Sequence, residues 1–435
     1  MPGLKAIADT AMLRRVVVYT LSGSLSALIA FGLLPVLTRY LTPRDYGIVE
    51  TFTVLTTCLS GVVLLGGNTL LAKEYFDHGH AERKLLAGRV LALTVLCSVL
   101  LLAIVASIDI PTGWISRLIK LGDLLIYLAI VVSLFNAVVA LATTLLQVEK
   151  RAWGYALFVN SKTVVEIAVS LSLILFFGFK WQGRIAGISA ASLVYGLVGL
   201  LLLKPSTGKS SLAFEPTKRL LVLGLPLAAA HVSVWIYGMV DRVMINNLFD
   251  LTNTGLYSVG FRFGTVVSMV ETAVSLAWMP YFYENIRRRE VESDRQIVKL
   301  SYWYAGGLLL FAVGFGLVAR WLLPIMVDAR FYAARRYIMP ICVAFWFSGV
   351  WKIFGLYLIA EEKTRTYSII TCGTAAAHIA LAYILLRTVG VVGAAWATML
   401  SFAVATVATI VVAVKLRPMP WGHPFLRRSP EFESK

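Results

Sequence analysis

The chain has 435 residues, is 59% hydrophobic and only 14% charged, and carries a formal net charge of +17. A soluble domain carries about 25% charged residues, so a water-soluble globular protein is excluded, and no soluble basic domain is present to bind nucleic acid. The positive charge sits mostly in short loops between apolar runs, where it sets orientation and meets anionic lipid headgroups.

Apolar stretches longer than about 18 residues, each able to cross a ~30 Å hydrocarbon core, recur along the whole chain. A membrane barrel would alternate apolar and polar residues. Val90–Ile108 is apolar on every face, so the expected fold is an all-α integral membrane protein with about twelve transmembrane helices. Met1 to Arg15 lacks the charged region, short apolar core and small-residue cleavage site of a signal peptide, so the first span is expected to stay in the mature protein. Spans are predicted near 16–38, 48–72, 85–108, 124–147, 156–178 and 185–203. A polar connector at 204–219 separates them from six more, near 220–247, 256–280, 300–323, 337–360, 367–387 and 391–414. The domain reading is therefore a six-helix lobe at 1–203, a cytoplasmic connector at 204–219, a second six-helix lobe at 220–414 and a cytoplasmic tail at 415–435. Of the 40 Lys and Arg residues, 24 fall on the side that holds both termini, 11 on the other and five within spans. The richer side is the cytoplasm, which puts both ends of the chain inside. The densest basic cluster is Arg287, Arg288, Arg289, Arg295 and Lys299. Cys58, Cys97, Cys342 and Cys372 lie inside apolar runs and read as packed thiols, with neither disulfide nor metal site.

The halves echo each other. The outer loop Leu41-Thr42-Pro43-Arg44-Asp45-Tyr46-Gly47 is matched by Asp250 to Tyr257, with Gly47 and Gly255 208 residues apart. The start of span six, Gly187 to Ser192, is matched by Gly393 to Thr398, and Glu149-Lys150-Arg151 by Glu362-Lys363-Thr364. Six spans per half give both halves the same orientation, so the predicted symmetry is a pseudo-twofold axis along the membrane normal. Gly66-Gly67 and Pro35 are hinge candidates.

A charge at mid-membrane costs at least ~2.5 kcal/mol and needs an explanation. The deep cations are Arg89, Lys162, Arg262 and Lys352; the deep acids are Glu166 and Glu271, with His231 and His378 completing the set. Arg89 can snorkel to the nearer surface. Lys162 and Glu166, four apart, share a helix face and can neutralise each other. Asp241 and Arg242 are adjacent, point apart and are expected to bridge to other helices. His231 and His378 read as core histidines, and the aromatics Phe345, Trp346, Phe347 and Trp351 as packing or lipid contacts.

Leu33-Leu34-Pro35-Val36-Leu37-Thr38-Arg39-Tyr40, continuing through Gly47, resembles the opening of Wzx-type polysaccharide biosynthesis proteins. Gly224-Leu225-Pro226-Leu227, Asp241-Arg242-Val243-Met244-Ile245 and Gly255-Leu256-Tyr257-Ser258 resemble that family's seventh-to-eighth span region. These are lipid-linked oligosaccharide flippases of the multidrug/oligosaccharidyl-lipid/polysaccharide (MOP) exporter superfamily, with a MATE-like fold. The resemblance implies a flippase, not an enzyme, that moves undecaprenyl-pyrophosphate-linked oligosaccharide to the periplasmic leaflet by alternating access, for O-antigen, capsule or exopolysaccharide synthesis. It implies no cofactor beyond a proton or sodium gradient, and the sequence carries no GxxxxGK[ST] phosphate loop. Partners would be the lipid-linked oligosaccharide and membrane lipids, with a polysaccharide polymerase and a chain-length regulator as further candidates. On this reading Arg89, Lys162, Arg262 and Lys352 bind the pyrophosphate, and Glu166 and Glu271 couple to the ion. A drug or cation antiporter of the same superfamily would favour an acidic cavity. A membrane polymerase would add a large external loop or a carboxylate-rich site.

Overall fold

Lipid offers no partner for backbone N–H and C=O groups, so an apolar run there must bond to itself. In a computed structural model of the protein, the apolar runs are accordingly α-helices. The structure describes residues 18–75 except 20 and 24, 80–204, 240–286, 290–417 and 419–421; among these there is no strand. The helices are α1 (Leu34–Tyr40), α2 (Pro43–Leu64), α3 (Gly67–Glu74), α4 (His80–Thr112), α5 (Trp114–Ile119), α6 (Asp123–Val148), α7 (Ala152–Phe177) and α8 (Trp181–Leu203), followed by α9 (Leu251–Ile286), α10 (Val291–Met326), α11 (Arg335–Ala360), α12 (Thr364–Val389) and α13 (Val392–Leu416).

Among the described residues, ten helical stretches are long and apolar enough to cross a membrane. They correspond to the first six and the last four predicted spans. Predicted span eight lies within α9, a 36-residue helix that carries Arg262 and Glu271. Most of predicted span seven, with His231, lies outside the described residues, as do Arg287 to Arg289 and nearly all of the connector and tail. Large apolar side chains such as Phe176, Leu201, Leu310 and Trp321 are more than 70% exposed, a surface that suits lipid rather than water.

Both hinge candidates coincide with breaks. Pro35 opens α1 after a turn at Leu33, since a proline is tolerated in the first helical turn but not further in. Leu65 and Gly66 both take left-handed backbone (φ 48° and 69°), dividing predicted span two into α2 and α3.

The described chain packs as two compact units. One draws on Met1–Val259, Leu323–Ala334 and Leu386–Val391, the other on Gly260–Leu322, Arg335–Leu385 and Val392–Lys435. In the first, α6 is the central helix and packs on α2, α4 and α8, while α7 and α8 form a close hairpin. In the second, α11 lies against α13, and an aromatic cluster of Trp278, Phe282, Phe354 and Tyr357 fills one end. Trp346 donates to the Ala305 carbonyl at 2.8 Å, and Phe345 and Trp351 pack on Phe261 and Tyr367, so those aromatics serve packing.

The internal repeat has a physical meaning at each place. Thr42 caps α2 in a reciprocal box with Asp45, and 208 residues later Asp250 accepts from the Asn253 amide at 2.7 Å, capping α9. Gly187 and Gly393 occupy equivalent tight spots. A β-carbon on Gly187 would strike Ser170 and the Glu166 carbonyl; one on Gly393 would strike the Leu385 carbonyl. The third match shifts by one residue. Lys150 (φ 59°) and Glu362 (φ 57°) are the left-handed residues of two matching helix C-caps. Arg151 and Lys363 then donate back five residues to Leu146 and Leu358. The true equivalents are Lys150 and Glu362, because the cap geometry rather than the Glu-Lys pair is what repeats.

Candidate functional site

Three polar clusters interrupt the apolar packing. The first belongs to the α7–α8 hairpin. Glu166 and Lys162 share one face of α7, and their ion pair is loose, at 3.7 Å. Arg184, in the first turn of α8, reaches Glu166 Oε1 at 2.6 Å and donates to Ser170 Oγ at 3.0 Å. All three charged side chains are four-fifths or more buried. Glycine at 187 permits this, since its missing side chain lets α8 lie against α7 at the level of Glu166. One acid thus faces two cations. Arg184 was counted with the loop residues on sequence; nothing local marks a charge in a first helical turn as one that will reach across a hairpin.

The second cluster is centred on Glu271 of α9, which is fully buried. Lys352 of α11 pairs with its Oε1, while the lysine side chain itself is 48% exposed. Glu271 Oε2 has no hydrogen bond among the described residues, while Ser275, one turn further along α9, and Tyr304 of α10 lie close enough to bond each other. The tyrosine belongs to the same pocket. A β-carbon on Gly349 would meet both Tyr304 Oη and Glu271 Cγ within 3 Å. Glycine at 349 therefore leaves the room in which a buried carboxylate, a phenol and a half-exposed ammonium face one another. Buried polar atoms without partners are rare and call for a ligand, an ion or water. Ser275 and Tyr304 could not be singled out on sequence, because hydroxyl residues in membrane helices usually bond their own backbone.

Arg89 and Arg262 are both half-buried, on α4 and α9. Arg262 and Glu271 lie nine residues apart, two and a half helical turns, so Arg262 leaves α9 on the side opposite Glu271 and Lys352. The structure therefore joins Lys162 to Glu166 and Lys352 to Glu271, but does not place Arg262 on the Lys352 face of α9. His378 is fully buried with Nδ1 3.0 Å from Ser401 Oγ, as expected of a core histidine.

The third cluster lies in the first unit, where the two repeats meet. Glu50 is 3.6 Å from Arg242, Arg242 donates to Ser258 at 3.1 Å, and Tyr257 donates to Asp241 at 2.8 Å. Glu50, Asp241, Arg242, Tyr257 and Ser258 are all buried. Asp241 and Arg242 do point apart, each to a different partner. Just beyond, Gly47 and Gly255 bring α2 and α9 into backbone contact. A β-carbon on Gly47 would strike the Leu251 carbonyl, and one on Gly255 the Pro43 carbonyl. The paired glycines of the repeat thus touch each other across a local twofold relation.

The sequence profile of polysaccharide biosynthesis proteins matches residues 12–286. The chain belongs to that family. Among curated relatives, a Haemophilus influenzae protein of the Lsg locus is 25% identical over 362 residues, covering 81% of this chain and 86% of its own. An uncharacterized membrane protein of the same organism is 21% identical, over 80% and 84% of the two chains. Among solved structures, the lipid II flippase MurJ in an inward closed conformation aligns with a TM-score of 0.73 at 14% identity, over 91% of this chain and 87% of that one. An inward-facing MATE family transporter of the MOP superfamily aligns at 0.62, also at 14% identity, over 91% and 96%. The family member therefore has a MOP-type transporter fold, and the MATE-like architecture expected from the sequence is the one found.

Proposed function

We propose that this protein is a flippase that carries an oligosaccharide on undecaprenyl pyrophosphate from the cytoplasmic to the periplasmic leaflet. Family membership and the MOP-type fold support transport of a polysaccharide precursor. The observation that carries the finer reading is the excess of cations over acids at membrane depth, where Glu166 faces both Lys162 and Arg184. A pyrophosphate needs such donors in a partly dehydrated site, and a drug cation would be repelled by them.

Lys352 is the cation best placed to move onto a phosphate, being half-exposed and held by one acid. When it does so, Glu271 keeps its burial but loses its countercharge. Charge balance then calls for a small cation, a proton or sodium ion, at the Glu271–Ser275–Tyr304 pocket. Substrate and coupling ion would thus exchange places at one lysine.

The direct test uses proteoliposomes loaded with a fluorescent undecaprenyl-pyrophosphate trisaccharide. An impermeant quencher reports how fast label appears in the outer leaflet. The flippase reading expects acceleration over empty vesicles. No acceleration, with accumulation of a fluorescent cation by the same vesicles, would replace it with the antiporter reading.

A further inference from the structure

Beside the Gly47–Gly255 contact, the first unit holds a cavity of about 440 Å³ lined by Arg44, Lys120, Asn246, Phe249 and Asp250, among others. By loop charge this end of the bundle faces away from the cytoplasm. The volume falls in the ~300–1,000 Å³ range of small-molecule sites. Asn246 is fully buried. Its Nδ2 donates to the Ile119 carbonyl at 2.6 Å, which fixes the amide and leaves Oδ1 without a hydrogen bond among the described residues. With none of its surface exposed, Asn246 sits behind the cavity wall, so contacts to a ligand come from the groups around it. The remaining groups narrow the choice. Phe249 is 38% exposed, Lys120 spends one bond on the Asn247 carbonyl at 3.0 Å, and Arg44 is exposed. Asp250 gives Oδ1 to its own helix cap. Two cations face one acid, so an anionic group is favoured, yet the carboxylate and the aromatic ring disfavour a bare phosphate.

We infer that this cavity binds a sugar unit bearing a carboxylate. Its ring packs on Phe249, and its carboxylate is held by Arg44 and Lys120. It would receive the saccharide as it leaves the membrane, next to the Gly47–Gly255 backbone contact. That origin of the ligand rests on the flippase reading; the binding chemistry does not.

The test uses the full-length protein in nanodiscs, with trigalacturonate, maltotriose and inorganic phosphate as separate probes. Trigalacturonate is expected to bind, and maltotriose to bind at least tenfold more weakly, with phosphate failing to displace the acid sugar at equal concentration. Arg44→Gln and Phe249→Ala should each weaken trigalacturonate by about tenfold, the loss of one charge-assisted bond or one ring contact. Unfolding temperatures of the variants confirm that they are folded. The inference is overturned if trigalacturonate does not bind, if maltotriose binds equally, if phosphate competes as a simple anion, or if neither substitution changes affinity. The vesicle assay on the same preparation separates the two readings: unimpaired flipping without sugar binding removes the site and keeps the flippase.

Discussion

At the scale of single residues, distances separate roles that the sequence left equal. Lys162 and Arg184 both face Glu166, but at 3.7 and 2.6 Å. Arg184→Ala should therefore lower stability by about 3 kcal/mol, as when a buried pair loses one partner. Lys162→Ala should cost less than that, because Arg184 still pairs Glu166, while slowing transport. Thermal unfolding in detergent read against the flipping rate distinguishes a structural arginine from a working lysine. Equal destabilisation by both would mean that Lys162 is structural too. At the second cluster, Lys352→Ala strands a carboxylate that is fully buried, so the amount of folded protein in the membrane should fall. The double variant Lys352→Ala with Glu271→Gln should restore that amount without restoring transport. Recovery of both would remove the pair from the mechanism. The deep charges themselves were legible in the sequence, because each stands out from an apolar run. The Lys162–Glu166 pair was legible too, from its spacing of four; the cations that reach Glu166 and Glu271 from other helices, Arg184 and Lys352, could not be assigned to them.

At the scale of elements, the contact between α2 and α9 depends on two glycines that the repeat had paired. Their spacing was legible; that they touch was not, because the sequence records an offset and not a crossing point. Gly47→Val should force the two helix starts apart. Thr254 is fully buried beside this contact, so a cysteine placed there, in a chain with the four native cysteines replaced, should be labelled by an impermeant maleimide several-fold faster in the Gly47→Val background. Gly61→Ala is the control. Its β-carbon meets open space, so labelling should not change and the helix should gain up to about 1 kcal/mol. Unchanged labelling in the Gly47 variant would show that the contact does not govern access. Elsewhere in the same unit, Arg330 donates to the final carbonyls of α1 at Thr38 and Arg39. The same guanidinium bonds Asp328 at 2.8 Å and holds that carboxyl below its ordinary value of 3.8, so the clasp should persist across the physiological pH range and weaken only in strong acid.

At the scale of the whole molecule, the orientation expected from loop charge needs its own measurement. A reporter active only in the cytoplasm should work when fused after Lys435 or within Glu290–Arg295, and be silent within Thr252–Thr254. Activity of a periplasmic reporter at either terminus would overturn the assignment of sides, and with it the placement of the sugar cavity. The helical membrane fold was legible in advance because lipid imposes its demands on composition, residue by residue. Predicted span eight shows the limit of that reading. Its apolar run gives the helix but not the roles of Arg262 and Glu271, which depend on what other helices bring to them.

The two matching helix caps at Lys150 and Glu362 have a practical side. Each holds a side-chain-bearing residue in left-handed backbone, a conformation that disfavours any β-carbon by about 1 kcal/mol or more. Neither position belongs to the polar clusters. Glycine at both, Lys150→Gly with Glu362→Gly, should therefore raise the unfolding temperature in detergent while flipping proceeds at the original rate, with one increment from each turn and the two simply adding. Such a chain would survive extraction from the bilayer longer, which is the step on which every binding and transport measurement above depends.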